Sequence, residues 1–177
     1  MQKSLLFFKE FNAKLTNSIN KISESEYKLF INTLKASKKK NIFIFGNGGS
    51  SAIASHVSVD LANLGFKTLN FNEYNLITCY SNDFGYANWI SKSLEHHAKS
   101  QDLIILISSS GKSKNIINAA KFAKVKKMNI VTLSGFRRSN QLSKLGHINF
   151  WIDSKSYNIV ETAHQIILVS AIDFLKK

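Results

Sequence analysis

The feature that most constrains this chain is a series of short, mostly apolar runs set apart by helix-length segments. Ile42 to Phe45, Lys67 to Phe71, Leu76 to Tyr80, Leu103 to Ile107, Ile130 to Leu133 and Ile148 to Ile152 are each four or five residues long and rich in β-branched or aromatic side chains. A membrane span needs ~20 apolar residues, so none of these runs qualifies as one. A strand with one wet face would alternate polar and apolar residues, and these do not. They read as central strands covered on both sides, joined by the helices of βα units. A doubly wound α/β domain on a parallel sheet follows.

Ahead of this pattern, Leu5, Phe8, Phe11, Leu15, Ile19 and Ile22 step by three or four residues, the stripe of an amphipathic helix. Ser23-Glu24-Ser25-Glu26 has the form of a capping box for a second helix, whose apolar face carries Tyr27, Phe30, Ile31 and Leu34. Lys38-Lys39-Lys40 suits the negative end of that helix dipole. Residues 1–40 thus form an N-terminal helical hairpin and 41–177 an α/β core, with no repeat or linker to divide 1–177 into more than one domain.

Composition narrows the function classes modestly. Of the 24 basic residues 22 are lysines, there is no proline, and the formal net charge is +13. The lysines are scattered, without the interleaved aromatics of a nucleic-acid platform, so codon bias explains them better than a polyanionic partner does. The lone Cys79 can form no internal disulfide, which points to a reducing, cytoplasmic setting. Membrane attachment is not expected.

Ligands of open parallel sheets bind beyond the carboxyl ends of the strands, so the loops there carry the chemistry. After the first run comes Gly46-Asn47-Gly48-Gly49-Ser50-Ser51, opening a helix; glycines allow close backbone approach to an anion. After Leu103–Ile107 comes Ser108-Ser109-Ser110-Gly111-Lys112-Ser113, again opening a helix. One hydroxyl suffices for an N-cap. Four hydroxyls point to a phosphate monoester. Ser81-Asn82-Asp83-Phe84-Gly85, taken alone, is a plain Asx turn and N-cap. On helices, His56 and Asp60 share a face, as do Glu161, His164 and Gln165; His96, His97 and His147 read as ordinary packed or solvated histidines.

These pieces in this order resemble the SIS (sugar isomerase) phosphosugar-binding domain, and most closely the phosphoheptose isomerase family. The resemblance is carried by Gly46-Asn47-Gly48-Gly49-Ser50, His56 with Asp60, Asn82-Asp83-Phe84-Gly85, the serine loop, Val131-Thr132-Leu133-Ser134-Gly135, and Glu161 to His164. It implies a three-layer α/β/α sandwich on a five-stranded parallel sheet and a homo-oligomer, tetramer or dimer, in which the N-terminal helices pack. It also implies a small phosphorylated sugar as ligand, held by Ser108, Ser109, Ser110 and Ser113 at the phosphate and by Asn47, Ser50, Ser51, Asn82 and Asp83 at the sugar.

The reaction implied is the interconversion of sedoheptulose 7-phosphate and an aldoheptose 7-phosphate through an enediol, which needs a base and a partner acid. The family's Glu position is Asp60 here. Its His position is Val169, which cannot move a proton, so Glu161 or His164 would take the second role. The resemblance demands no cofactor; it allows a zinc ion at His56, Asp60 and Glu161, with the fourth ligand lost at Val169. The alternative implied by Val169 is a phosphosugar-binding sensor or assembly module without turnover.

Overall fold

The computed structural model describes residues 2–177. Two helices, α1 (Gln2–Ile19) and α2 (Glu24–Ala36), lead into β1 (Asn41–Phe45), α3 (Gly49–Asn63), β2 (Lys67–Leu69), α4 (Tyr74–Phe84) and α5 (Trp89–His97). Then come β3 (Leu103–Ser108), α6 (Lys114–Val125), β4 (Asn129–Ser134), β5 (Ile148–Trp151) and α7 (Tyr157–Leu175). The strands form one parallel sheet in the order β2-β1-β3-β4-β5. The expected three-layer α/β/α sandwich with a five-stranded parallel sheet is therefore what this sequence builds.

Both faces of the sheet are apolar because successive side chains point to opposite sides. Ile42, Ile44, Ile105, Ile107, Val131 and Leu133 pack on one face beneath α2, α3 and α7. Phe43, Phe45, Ile104, Leu106 and Ile130 pack on the other, beneath α5 and α6. Continuous apolar runs are the sequence trace of that double covering. α2 belongs to the core rather than to a detachable hairpin, with Phe30 and Leu34 each 1% exposed. Its start is capped as expected: Ser23 Oγ accepts from the Glu26 backbone N–H at 3.3 Å. α1 contributes only its second half, through Leu15 and Ile19.

Two strand expectations are corrected. Leu76–Tyr80 lies inside α4: Leu76 and Ile77, with Tyr80 one turn further on, lean on the core, while Cys79 is exposed. A short apolar run has no intrinsic preference between the two states, and here the helix is what lets Leu76, Ile77 and Tyr80 pack on the core. The run beginning at Lys67 stops at Leu69. Phe71 adopts φ +46°, which ends the extended chain and turns its ring onto Phe43 and Phe45. Consequently Asn82 and Asp83 close a helix rather than open one; Gly85, at φ +79°, caps α4 with its N–H on Ser81 O.

α7 is long and apolar enough to cross a membrane by length and composition, but it lays Ile159, Val160, Ala163, Ile167, Leu168, Ala171 and Ile172 on the sheet.

Candidate functional site

The chain leaves β1 toward one face of the sheet through α3 and leaves the neighbouring β3 toward the other face through α6. Where adjacent strands diverge in this way, a crevice opens at their carboxyl ends. The two loops singled out by sequence meet there. A cavity of about 150 Å³ is lined by Asn47, Ser50, Ser108, Ser109, Ser110 and Ser113, with Ile107, Tyr157 and Glu161.

Ser108 and Ser109 are 4% and 5% exposed at the end of β3, and Ser108 Oγ donates to Ser113 Oγ at 3.0 Å. Ser113 occupies the N-cap position of α6, yet its side chain caps no backbone N–H. Its hydroxyl, with the free N–H groups of α6 behind it, is available to an anion. Gly111 takes φ +63°, and a Cβ there would overlap the Asn140 side chain; this close fit lets the serine loop fold over β3.

Glu161, from the second turn of α7, closes the cup. Its Oε1 accepts from Ser109 Oγ at 3.3 Å. Its other oxygen rests against Gly49, where a Cβ would overlap the carboxylate. Glu161 also borders a second, larger cavity of about 440 Å³ between α3 and α7, lined by Gly49, Ala52, Ile53, His56, Asn158, Thr162 and Gln165. The two cavities, a cup and a trench, share the Glu161 side chain in their linings. At 1.5 Å per residue, His56 lies about 9 Å up α3 from Ser50, and Asp60 about 15 Å. His56 Nε2 is 3.3 Å from Asp60 Oδ2, and its Nδ1 is 3.2 Å from Gln165 Nε2. Because an amide nitrogen only donates, Nδ1 accepts and the ring proton sits on Nε2, facing the carboxylate.

A model of the SIS domain family matches residues 3–135. The phosphoheptose isomerase of Sulfurimonas denitrificans is 34% identical over 181 residues, spanning 96% of this chain and 91% of that protein. The chain belongs to the SIS family, on its phosphoheptose isomerase branch. The phosphoheptose isomerase of Aliarcobacter butzleri is 31% identical over 170 residues, 92% of this chain and 88% of that one. The solved phosphoheptose isomerase of Neisseria gonorrhoeae shares the fold with a TM-score of 0.90 at 20% identity, covering 99% of this chain and 97% of that chain.

Several residues expected at the site of this SIS-domain protein stand elsewhere. Ser51 faces away from the cup, with its hydroxyl on Asn72 Oδ1 at 3.3 Å. Asn82 and Asp83 are exposed at the end of α4, bonded to each other at 3.0 Å, and do not line the cup. His164 does not share the face of Glu161. One residue short of Gln165, it is rotated by about 100° into the core, the angle per residue of a helix. It is fully buried, with Nε2 3.2 Å from Ser134 O. Burial holds its pKa down at about 4, against a weaker opposing pull from that hydrogen bond. Val169 is half-buried on the stripe of Glu161 and Gln165.

The side chains at which the resemblance allows zinc do not fit it within one chain. Among the described residues no three His, Cys, Asp or Glu side chains converge on a point that could hold an ion. His56 has both ring nitrogens engaged, and Glu161 is turned toward Ser109 and Gly49. Sequence reading missed Tyr157 on the cup and Asn115 behind it; the latter's position two residues past Ser113, in the first turn of α6, was the available signal.

Proposed function

We propose that this protein is an aldose–ketose isomerase of phosphosugars, acting on sedoheptulose 7-phosphate or a sugar phosphate of similar reach. The observation that carries this reading is the cup of hydroxyls at the α6 N-terminus, bordered by the same Glu161 that lines the trench. In it the phosphate accepts hydrogen bonds from Ser110 and Ser113, and from Ser108 and Ser109 once their hydroxyls swing away from Ser113 and Glu161, and sits at the positive end of the α6 dipole. The sugar chain then runs along the trench between α3 and α7.

Isomerisation moves one proton between adjacent carbons: a base takes it from the carbon beside the carbonyl, while an acid protonates the carbonyl oxygen and gives the enediol. Glu161, shared by cup and trench, is assigned one role. Asp60, with His56 in front of it, is assigned the other. His164 is left out because a neutral, core-facing ring bonded to backbone reaches no substrate atom. We also propose a cytoplasmic homo-oligomer, dimer or tetramer, supported by the unpaired Cys79 and by Leu5, Leu6, Phe7 and Phe8, each more than half exposed on α1.

Val169 favours a second reading, a phosphosugar-binding sensor or assembly module without turnover, because that stripe of α7 carries no proton-moving group at that position. Incubation with sedoheptulose 7-phosphate in deuterated water, followed by NMR, separates the two. The isomerase incorporates deuterium beside the carbonyl and forms aldose, and Glu161→Gln slows this by about 100-fold or more, the scale of a lost acid–base group. Saturable binding without any exchange overturns the isomerase and leaves the sensor.

A further inference from the structure

Asn47 stands on the rim of the cup with most of its hydrogen-bonding capacity already spent. Its Oδ1 accepts from Asn115 Nδ2 at 2.8 Å and from the Tyr86 hydroxyl at 3.0 Å. Its Nδ2 donates to Asn115 Oδ1 at 3.0 Å. A side-chain amide has two lone pairs on oxygen and two N–H donors. Both lone pairs and one N–H are used, so a single N–H remains.

Neither partner is free to let the amide turn over. Asn115 is 2% exposed in the first turn of α6, and the reciprocal bonds close the two amides into a ring. Rotating Asn47 alone by 180° would set N–H against N–H and O against O in that ring. Tyr86 approaches from the turn between α4 and α5, which is itself moored to α6: Asn118 Nδ2 donates to Ala87 O at 3.0 Å and to Asn88 Oδ1 at 2.9 Å. Asn115 and Asn118 are three residues apart, on neighbouring positions of one helix surface. One helix therefore holds both arms that grip Asn47.

We propose that Asn115 and Tyr86 are positioning residues that lock the Asn47 amide so that its remaining N–H is presented to the ligand, making this part of the rim a donor only. The ligand atom selected there is an acceptor oxygen, on the phosphoryl group or on the sugar adjoining it. A ligand carrying an ammonium or amide N–H at that position is rejected, because it meets no acceptor.

This inference rests on reading the cup as a phosphosugar site, and the test keeps the two apart. The ¹⁵N side-chain amide pair of Asn47, assigned with Asn47→Ser, is followed while inorganic phosphate, and separately sedoheptulose 7-phosphate, is added. One of the two amide protons shifts on binding and the other, held in the ring, stays protected from exchange. Tyr86→Phe removes one hydroxyl from a residue that is 55% exposed, so the melting temperature holds while the Kd for sedoheptulose 7-phosphate rises ~2–10-fold, the range for one lost hydrogen bond. Wild-type protein that binds neither probe overturns the phosphosugar reading and this inference with it. Wild-type binding that Tyr86→Phe leaves undiminished, or that leaves the Asn47 amide unmoved, overturns this inference alone.

Discussion

His164 is the residue whose chemistry departs furthest from its solution behaviour. Burial lowers its pKa from 6.5 to about 4, so the folded protein holds it neutral. The unfolded chain binds a proton at higher pH than the folded one does. The stability this neutral ring contributes is therefore complete above pH 6.5 and is lost as pH falls from 6.5 through 4. At 1.36 kcal/mol per pKa unit the loss amounts to about 3 kcal/mol. Urea titrations at pH 7, 5.5 and 4.5 should show it, and His164→Leu should flatten the dependence over that interval; an equally steep wild-type and variant profile would assign the acid sensitivity to other groups. At the same scale, Gly49 is set by contact rather than by turn geometry: the Glu161 carboxylate occupies the space of its missing Cβ.

Among the elements, α2 and α1 separate by what they bury. Leu34, 1% exposed, lies among the residues of the larger core cluster with Phe30 and Phe150. Leu34→Ala should cost ~2–5 kcal/mol in chemical denaturation. Had α2 been an oligomer accessory only, the cost would vanish at protein concentrations that dissociate the assembly. Helix positions that meet the sheet were legible from spacing alone, as in Tyr27, Phe30, Ile31 and Leu34. α4 was not, because Leu76-Ile77-Thr78-Cys79-Tyr80 satisfies a strand template over its length and a helix template equally. Only the helix lets Leu76, Ile77 and Tyr80 reach the core together while Cys79 stays outside.

For the whole molecule, the strand order β2-β1-β3-β4-β5 puts the divergence of the chain between β1 and β3, and both candidate ligand loops stand at that point. The exposed Leu5, Leu6, Phe7 and Phe8 give α1 an apolar patch that one chain does not cover, with Phe7 at 69% exposure. Light scattering should find a dimer or tetramer in the wild type, and Phe7→Glu with Phe8→Glu should shift it to a smaller species. A monomeric wild type would remove the assembly proposal. The +13 charge bears little on the cup, whose lining contains no lysine or arginine; the phosphate binding proposed there relies on hydroxyls and a helix dipole.

The amino-acid sequence by itself determined the parallel α/β architecture, the helices α1 and α2, and the two loops that form the cup, since each is a local pattern: a run of apolar residues, a 3.6-residue stripe, or hydroxyls and glycines at a helix start. It did not determine which side chains of those segments meet. Ser51, one residue beyond Ser50, turns away with the helix; His164, three beyond Glu161, turns into the core; Asn115 and Tyr86, 29 residues apart in the chain, close on Asn47. Those outcomes depend on the rotation of α3, α6 and α7 about their own axes once packed on the sheet, and that rotation is set by the burial of all their apolar residues together.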